Sequence, residues 1–390
     1  MAFAGLRGDN PTMKSYRSRL VAALVFVVGF VALAPAPRVR AAADTIPARL
    51  TDQEFWRLSE DMSEPNGSFR SDNMLSNEIW FQTVIKDLVA RTLPGGVYLG
   101  VGPEQNFTYI TAIKPKIVFI TDIRRGNLHM HLMYKALFEL SKDRAEFVSR
   151  LFTKPRPERF TADTSAAEMW GDNGYWNIVT SGQPVFDKNL QDIYDVLTKK
   201  HGLPLSKDDL DGIYYCYHNF YWYGPSINYN STTGNGNGRG GGGNMVDYAT
   251  LMMQTDGVVN KSFMGSEENF KFLKDLEERN MLVPVVGNFG GPKALRAVGK
   301  WVRDHGATVT AMYLSNVEQY LTQDGIWGNF CGNVASMPLD ERSTFIRSQT
   351  GGGGGGSGLM SYLGSMQADT RGCGRPQAIQ IPAPNVETSR

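Results

Sequence analysis

The 390 residues carry 40 Lys+Arg against 39 Asp+Glu, a net charge of +1, with 42% hydrophobic and 11% aromatic residues. That apolar content supports a sizeable core and excludes global disorder, and the balanced charge offers no basic face of the kind that nucleic acid demands. The three cysteines, Cys216, Cys331 and Cys373, are spaced too widely for a disulfide framework or a Cys-x-x-Cys metal site and are expected to stay unpaired.

Lys14, Arg17 and Arg19 precede an apolar run of 15 residues, Leu20 to Ala34, and the small residues Ala41-Ala42-Ala43 follow. This charged, apolar, small order is that of a secretory signal peptide over residues 1–43. The run is short of the roughly 20 residues that cross a bilayer as a helix. Arg38 and Arg40, between the run and the cleavage site, keep an alternative open: an uncleaved leader anchoring the chain to the inner membrane. Cleavage removes six positive charges and one negative, turning +1 into −4. The expected address is periplasmic or secreted, with membrane contact only through an uncleaved leader.

Residues 44–96 read as N-terminal helices. Thr51 with Glu54 forms a capping-box pattern that opens a helix through about Glu60. A second helix, Ile79 to Arg91, places Phe81, Val84, Ile85, Leu88 and Val89 on one side and stops at Pro94-Gly95-Gly96. Ser76-Asn77-Glu78 at its start reads as a solvated first turn, or as a lid over the sheet edge. Val97 to Gly102 is a buried strand, Glu104 to Ile113 a helix, Lys116 to Asp122 a second strand and Asn127 to Leu140 a helix.

A helical insertion of about 142–280 follows. Its helices are Lys142 to Phe152, Asp187 to His201, one capped by Ser206 with Leu210, Ile213, Tyr214, Tyr217 and Tyr221 as its stripe, and Glu267 to Arg279 capped by Ser266. The Gly/Asn-rich patch at 231–244 is a flexible loop by composition. Alternation then resumes with strand Met281 to Gly287, a helix from Pro292 through His305, strand Ala307 to Leu314, and a last strand Ser343 to Ser348. Residues 349–390 read as a Gly-rich linker and a mostly disordered tail. Strand–helix alternation with continuous apolar strands predicts the α/β class over 97–348: a doubly wound, mostly parallel sheet with a helical insertion.

In such sheets ligands bind beyond the carboxyl ends of the strands. Those ends supply Gly100-Val101-Gly102-Pro103-Glu104, Asp122-Ile123, Gly287-Asn288 and Tyr313 with Ser315-Asn316. A Gly-x-Gly turn lets backbone approach a ligand, and a carboxylate 20 residues past Gly102 can accept the hydroxyls of a ribose. Ser315 with Glu318 has the spacing of a capping box, leaving Asn316 as the freer polar group. His129 and His131, two apart on one helix, diverge and cannot share a metal on one face. His218 lies opposite its helix's stripe, near Tyr215 and Trp222.

VYLGVGPEQN followed by KIVFITDIRRGN resembles the first two motifs of class I, Rossmann-like methyltransferases, which bind S-adenosylmethionine. SDNMLSNEIWFQ, VPVVGNFGGPKALRAVGKW and TAMYLSNVEQYL also resemble a group of exported bacterial proteins with that type of fold, from which no reaction carries over. The methyltransferase resemblance implies S-adenosylmethionine as cofactor. Gly100 and Gly102 would lie against its amino-acid part with Glu104 beside them, Asp122 would hold its ribose with Ile123 adjacent, and a small-molecule substrate would approach Asn288, Tyr313 and Asn316. Two departures stand out: Tyr98 replaces the acidic residue usual before the first Gly, and Glu104 replaces the third Gly. S-adenosylmethionine is a cytoplasmic metabolite, so export leaves two readings open: a methyltransferase-like enzyme, and an exported binding or scaffold module that retains the fold.

Overall fold

Uninterrupted apolar runs bury both faces of the central strands. Val97–Gly100 (β1), Ile117–Asp122 (β2) and Leu282–Val286 (β3) are buried throughout, and Val309–Ser315 (β4) at all but its last position. Thr344–Thr350 (β5) and Leu359–Ser365 (β6) complete the sheet. The computed structural model describes Met1 and residues 44–171, 182–232, 245–350 and 359–373. Met1–Ala43 and Asp44–Arg390 form separate units, and the fold is that of the second. The leader read at 1–43, most of the 231–244 patch, the Gly run 351–358 and the stretch 374–390 lie outside the described residues.

The sheet order is β3-β2-β1-β4-β5-β6, parallel from β1 to β5, with β6 antiparallel on the edge. This is an α/β arrangement of Rossmann-like type, as the alternation predicts. Gln105–Ile113 (α3) joins β1 to β2, Arg125–Leu140 (α4) follows β2, and Ala294–Asp304 (α11) joins β3 to β4. Right-handed crossovers place α3 and α4 on one face and α11 on the other. The order reverses between β1 and β4, which makes their carboxyl ends the switch point of the sheet.

Several of the remaining helices open on a side-chain cap. Asp52–Met62 (α1) opens on the reciprocal Thr51–Glu54 capping box, and Ile85–Arg91 (α2) continues a 3-10 turn at Phe81–Val84. The insertion comprises Arg144–Leu151 (α5), Ala166–Trp170 (α6), Gln183–Asp195 (α7) running into a π turn at Val196–Lys200, Lys207–Tyr223 (α8), Tyr248–Met253 (α9) and Glu267–Glu278 (α10). Val317–Gln323 (α12), Trp327–Ala335 (α13) and Met366–Asp369 (α14) complete the set. Among the described residues no helix is long and apolar enough to cross a membrane.

The core between sheet and insertion is aromatic. Phe107 on α3 meets His131, Tyr134, Phe138 and Phe263 edge-on, with ring centroids 5.2–5.7 Å apart, an arrangement favoured by the ring quadrupoles. Arg144 is buried and fully employed. Its guanidinium donates to the carbonyls of Met264 at 2.7 Å, Thr164 at 2.6 Å and Ala162 at 3.0 Å, and it pairs with Glu267.

Four sequence expectations are corrected. Cys331 and Cys373 form a disulfide, with Cα atoms 5.6 Å apart, because α14 returns the tail to α13; Cys216 alone stays free and is buried. The tail is partly structured: β6 pairs with β5 from Thr344↔Ser365 to Thr350↔Leu359. The stripe of α8 is rotated, since Ile213, Cys216, Tyr217 and Phe220 are buried while Tyr214 is 43% exposed; Val89 on α2 likewise faces out. Finally, Ser315 and Glu318 form no capping box. Ser315 has φ +49°, Asn316 occupies the N-cap, and Glu318 holds Arg347 at 2.6 Å.

Candidate functional site

Beyond β1 the chain makes its Gly-x-Gly turn, and the side chain of Asn106 fills the inside of that turn. Asn106 Nδ2 donates to the carbonyls of Val101 at 2.9 Å and Pro103 at 2.7 Å, and its Oδ1 accepts from the Tyr98 hydroxyl at 2.9 Å. A Cβ on Gly100 would overlap Asn106 Oδ1. Gly100 is therefore required by a neighbouring side chain, and Tyr98, which replaces the expected acid, is the partner that orients it. Gly102 needs its positive φ of +74°. Its carbonyl accepts from His131 Nε2 at 2.9 Å. Burial pushes the His131 imidazole down to about 4, so it is neutral with its proton on Nε2. His129 points elsewhere, to Asp209 at 2.9 Å.

Asp122 ends β2 with its carboxylate engaged. Oδ1 accepts the Arg124 backbone N–H at 2.9 Å, and the Arg124 guanidinium pairs with it at 3.3 Å in a largely buried contact. The other end of that guanidinium reaches the carbonyl of Asp72.

Asp72 belongs to a strap, residues 63–78, that crosses the carboxyl ends of the strands. Its polar side chains meet the helix N-termini there, whose free N–H groups otherwise attract anions. Glu64 accepts the N–H groups of Lys293 at 2.8 Å and Ala294 at 2.9 Å at the start of α11, and that of Asn288 at 3.1 Å. A Cβ on Gly291 would overlap the same carboxylate and one on Gly290 would meet Ile326, which accounts for the glycine pair of GNFGG. Asn66 Oδ1 accepts from Arg125 N–H at 2.7 Å at the start of α4. The start of α3 is buried beneath Ser76–Glu78. There the Glu104 carboxyl folds onto its own N–H and that of Ser76.

Between strap and sheet lies a cavity of about 480 Å³. Asp122, Ile123, Asn288, Tyr313 and Asn316 line it, so five of the eight site residues read from the sequence share one wall system. Gly100, Gly102 and Glu104 are not among its lining; they form the layer beneath. Sequence reasoning missed Phe69, Arg70, Tyr229 and Tyr320. Phe69 and Tyr320 meet edge-on at 5.0 Å, and Arg70 bridges them, donating to the Tyr320 hydroxyl at 2.5 Å. No periodic pattern marks these residues, which reach the cavity from the strap, from α12 and from the loop after α8.

Residues 73–170 and 244–361 match the model of a family described as a domain of unknown function, DUF7790. Together these segments make up more than half of the chain. The chain belongs to that family. No curated protein matches it. The DUF7790 match begins inside the strap and includes all four strand ends that border the cavity. It omits α7 and α8, and with them Tyr229.

Within the DUF7790 segments, the cavity wall is backed by a buried polar cluster. Glu78, read as a solvated first turn or a lid, is fully buried. It accepts from the Tyr313 hydroxyl at 2.6 Å, Gln105 Nε2 at 2.8 Å and Ser361 Oγ at 3.2 Å. The hydroxyls of Tyr109 and Ser361 lie 3.1 Å apart, which ties α3 to the edge strand. Burial pushes the Glu104 carboxyl up to about 8, and its Oε2 has no partner among the described residues. Glu104 is thus protonated at neutral pH. Because its folded value lies above the ordinary 4.5, its contribution to stability is complete below that value and is lost as pH rises through about 8. Glu104→Gln, measured by chemical denaturation, is expected to gain on the parent protein by roughly 2–4 kcal/mol between pH 5 and pH 8.5. Parallel curves for the two proteins would show that Glu104 ionises freely.

Proposed function

We propose that this chain is an exported small-molecule-binding module that retains a methyltransferase-like sheet, with its ligand seated between the strap and the carboxyl ends of β1 to β4. The observation that carries the reading is the cavity itself. It lies at the switch point, falls within the volume range typical of ligand sites, and joins Asp122, Asn288, Tyr313 and Asn316. The strand order with an antiparallel edge strand supports the methyltransferase-like description. Export is supported by the order of charges and apolar residues in 1–43 and by the Cys331–Cys373 disulfide, since such bonds persist in oxidising compartments. The N-terminal residue of protein made in its native cell tests cleavage directly.

The residues present do not fit S-adenosylmethionine. The turn that would receive its amino-acid end is filled by Asn106, Asp122 is held by Arg124, and Glu104 faces inward as a neutral acid. A methyltransferase-like enzyme remains the second reading, favoured by the one implied ribose contact, Asp122, that does line the cavity. Calorimetry of the mature chain with S-adenosylmethionine and S-adenosylhomocysteine separates the two. The binding-module reading expects no heat beyond dilution and a different small molecule carried by the purified protein in native mass spectrometry. Saturable heat that disappears in Asp122→Ala would restore the enzyme.

A further inference from the structure

The cavity differs from a nucleotide site in where its charges go. A phosphate or carboxylate ligand needs free N–H groups at a helix N-terminus, or a cation with nothing else to bind. Around this cavity the start of α11 is taken by Glu64, the start of α4 by Asn66, the start of α3 is buried under the strap, and the short α12, which begins at the wall with Asn316, carries the Glu318 carboxylate in its first turn. Of the two cations beside the cavity, one is paired with a carboxylate and the other is held by an aromatic ring. Arg124 is committed to Asp122 and the Asp72 carbonyl, and Arg70 donates to the Tyr320 hydroxyl while lying 5.3 Å over that ring. Asp324 adds a carboxylate to the lining, and Glu64 stands directly behind Gly287 and Asn288. With Asp122 and Arg124 paired, an anion entering here meets the Asp324 carboxylate on the wall and Glu64 behind it, against the single charge of Arg70.

Most of the polar groups that the cavity offers are neutral. Its wall carries the primary amides of Asn73, Asn77, Asn288, Asn316 and Gln323. Among the described residues, the amide nitrogens of Asn288 and Asn316 and the side chains of Asn77 and Gln323 carry no hydrogen bond within the chain. Each amide presents both a donor and an acceptor, the pairing that a hydroxyl group satisfies from both sides. Aromatic rings line the same space: Phe69, Tyr229, Phe289 and Tyr320. Rings supply flat apolar area against which the C–H face of a saturated ring, or a base, can lie. We infer that the ligand is an uncharged ring bearing several hydroxyls, a free sugar or an unphosphorylated nucleoside, and that phosphorylated forms are rejected. This inference rests on the binding-module reading and adds the ligand's chemical class.

The test uses the full mature chain in calorimetry and thermal-shift titrations. One arm holds adenosine and uridine, a second holds glucose, galactose and N-acetylglucosamine, and each compound is paired with its monophosphate. The expected result is saturable binding by a member of one arm, at least tenfold weaker binding of its monophosphate, and a loss of about tenfold on Asn316→Ala with an unchanged melting temperature. Which arm responds identifies the source of the ring. A monophosphate that binds as tightly as its parent overturns the inference while leaving the cavity a binding site. So does an anionic molecule found in native mass spectrometry and released by Asn316→Ala. Silence from every neutral and phosphorylated compound, with no small molecule on the purified protein, overturns both the inference and the reading beneath it.

Discussion

Reduction of the Cys331–Cys373 disulfide, or replacement of Cys373 by alanine, is expected to lower the stability of the protein by about 2–4 kcal/mol. The bond joins residues 42 apart in sequence. A loop of that size corresponds to roughly 4 kcal/mol of unfolded-state entropy, and native strain and residual structure reduce the measured effect. The enclosed segment contains β5, β6 and α14, so the loss concentrates at the edge of the sheet. There β6 keeps its ladder with β5, and Asp369 keeps its pairing with Arg347, which holds the edge in place without the covalent tie. The melting temperature is expected to fall by about 5–10 °C, at roughly 2–4 °C per kcal/mol for a domain of this order of size. Amide exchange should quicken first in Leu359–Ser365. Cys216 does not confuse the experiment, because burial pushes its thiol up to about 12 and keeps it from exchange. An unchanged melting curve in protein whose two thiols are verified as free would refute the assignment.

Glu64→Ala is expected to cost about 2–4 kcal/mol, unusually much for one partly exposed side chain. The carboxylate accepts three backbone N–H groups, of Asn288, Lys293 and Ala294, and its removal leaves a helix N-terminus and a glycine turn without an acceptor. The vacated space is bounded by Gly287 and Gly291, whose missing side chains leave room for a tetrahedral anion. Sulfate or phosphate at tens of millimolar should therefore raise the melting temperature of Glu64→Ala by several degrees more than that of the parent protein. Glu64→Gln should retain much of the stability and lose the anion response. If both variants respond to sulfate as the parent does, Glu64 is not what closes this helix end.

The sheet was legible because its central strands are short, continuous apolar runs set between helices that announce their own starts. Thr51, Ser206 and Ser266 each cap the helix expected of them. β6 escaped because its half-exposed LMSYLGS carries no run of apolar residues and becomes a strand only through pairing with β5. The face of α8 was misjudged for a chemical reason. Its tyrosines count as apolar wherever they stand, and only packing against α4 shows that Cys216 and Phe220 turn inward while Tyr214 does not. At the site, the strand-end rule found Asp122, Ile123, Asn288, Tyr313 and Asn316 together. It misread the purpose of Gly100, because a glycine vacated for Asn106 and a glycine vacated for a ligand are identical in sequence. The strap was invisible for another reason. Glu64, Asn66 and Arg70 act on partners roughly 60 to 250 residues away, at distances no local pattern encodes.

Arg144 has a consequence for how this molecule comes apart. One guanidinium, taken out of water, collects the carbonyls of Ala162, Thr164 and Met264, so the two ends of the inserted segment are fastened to the same charge. Freeing either end strands a buried cation, a penalty that neither end can escape alone. The two ends of the excursion are thereby expected to come apart together, because loosening one leaves the other holding an unsatisfied charge.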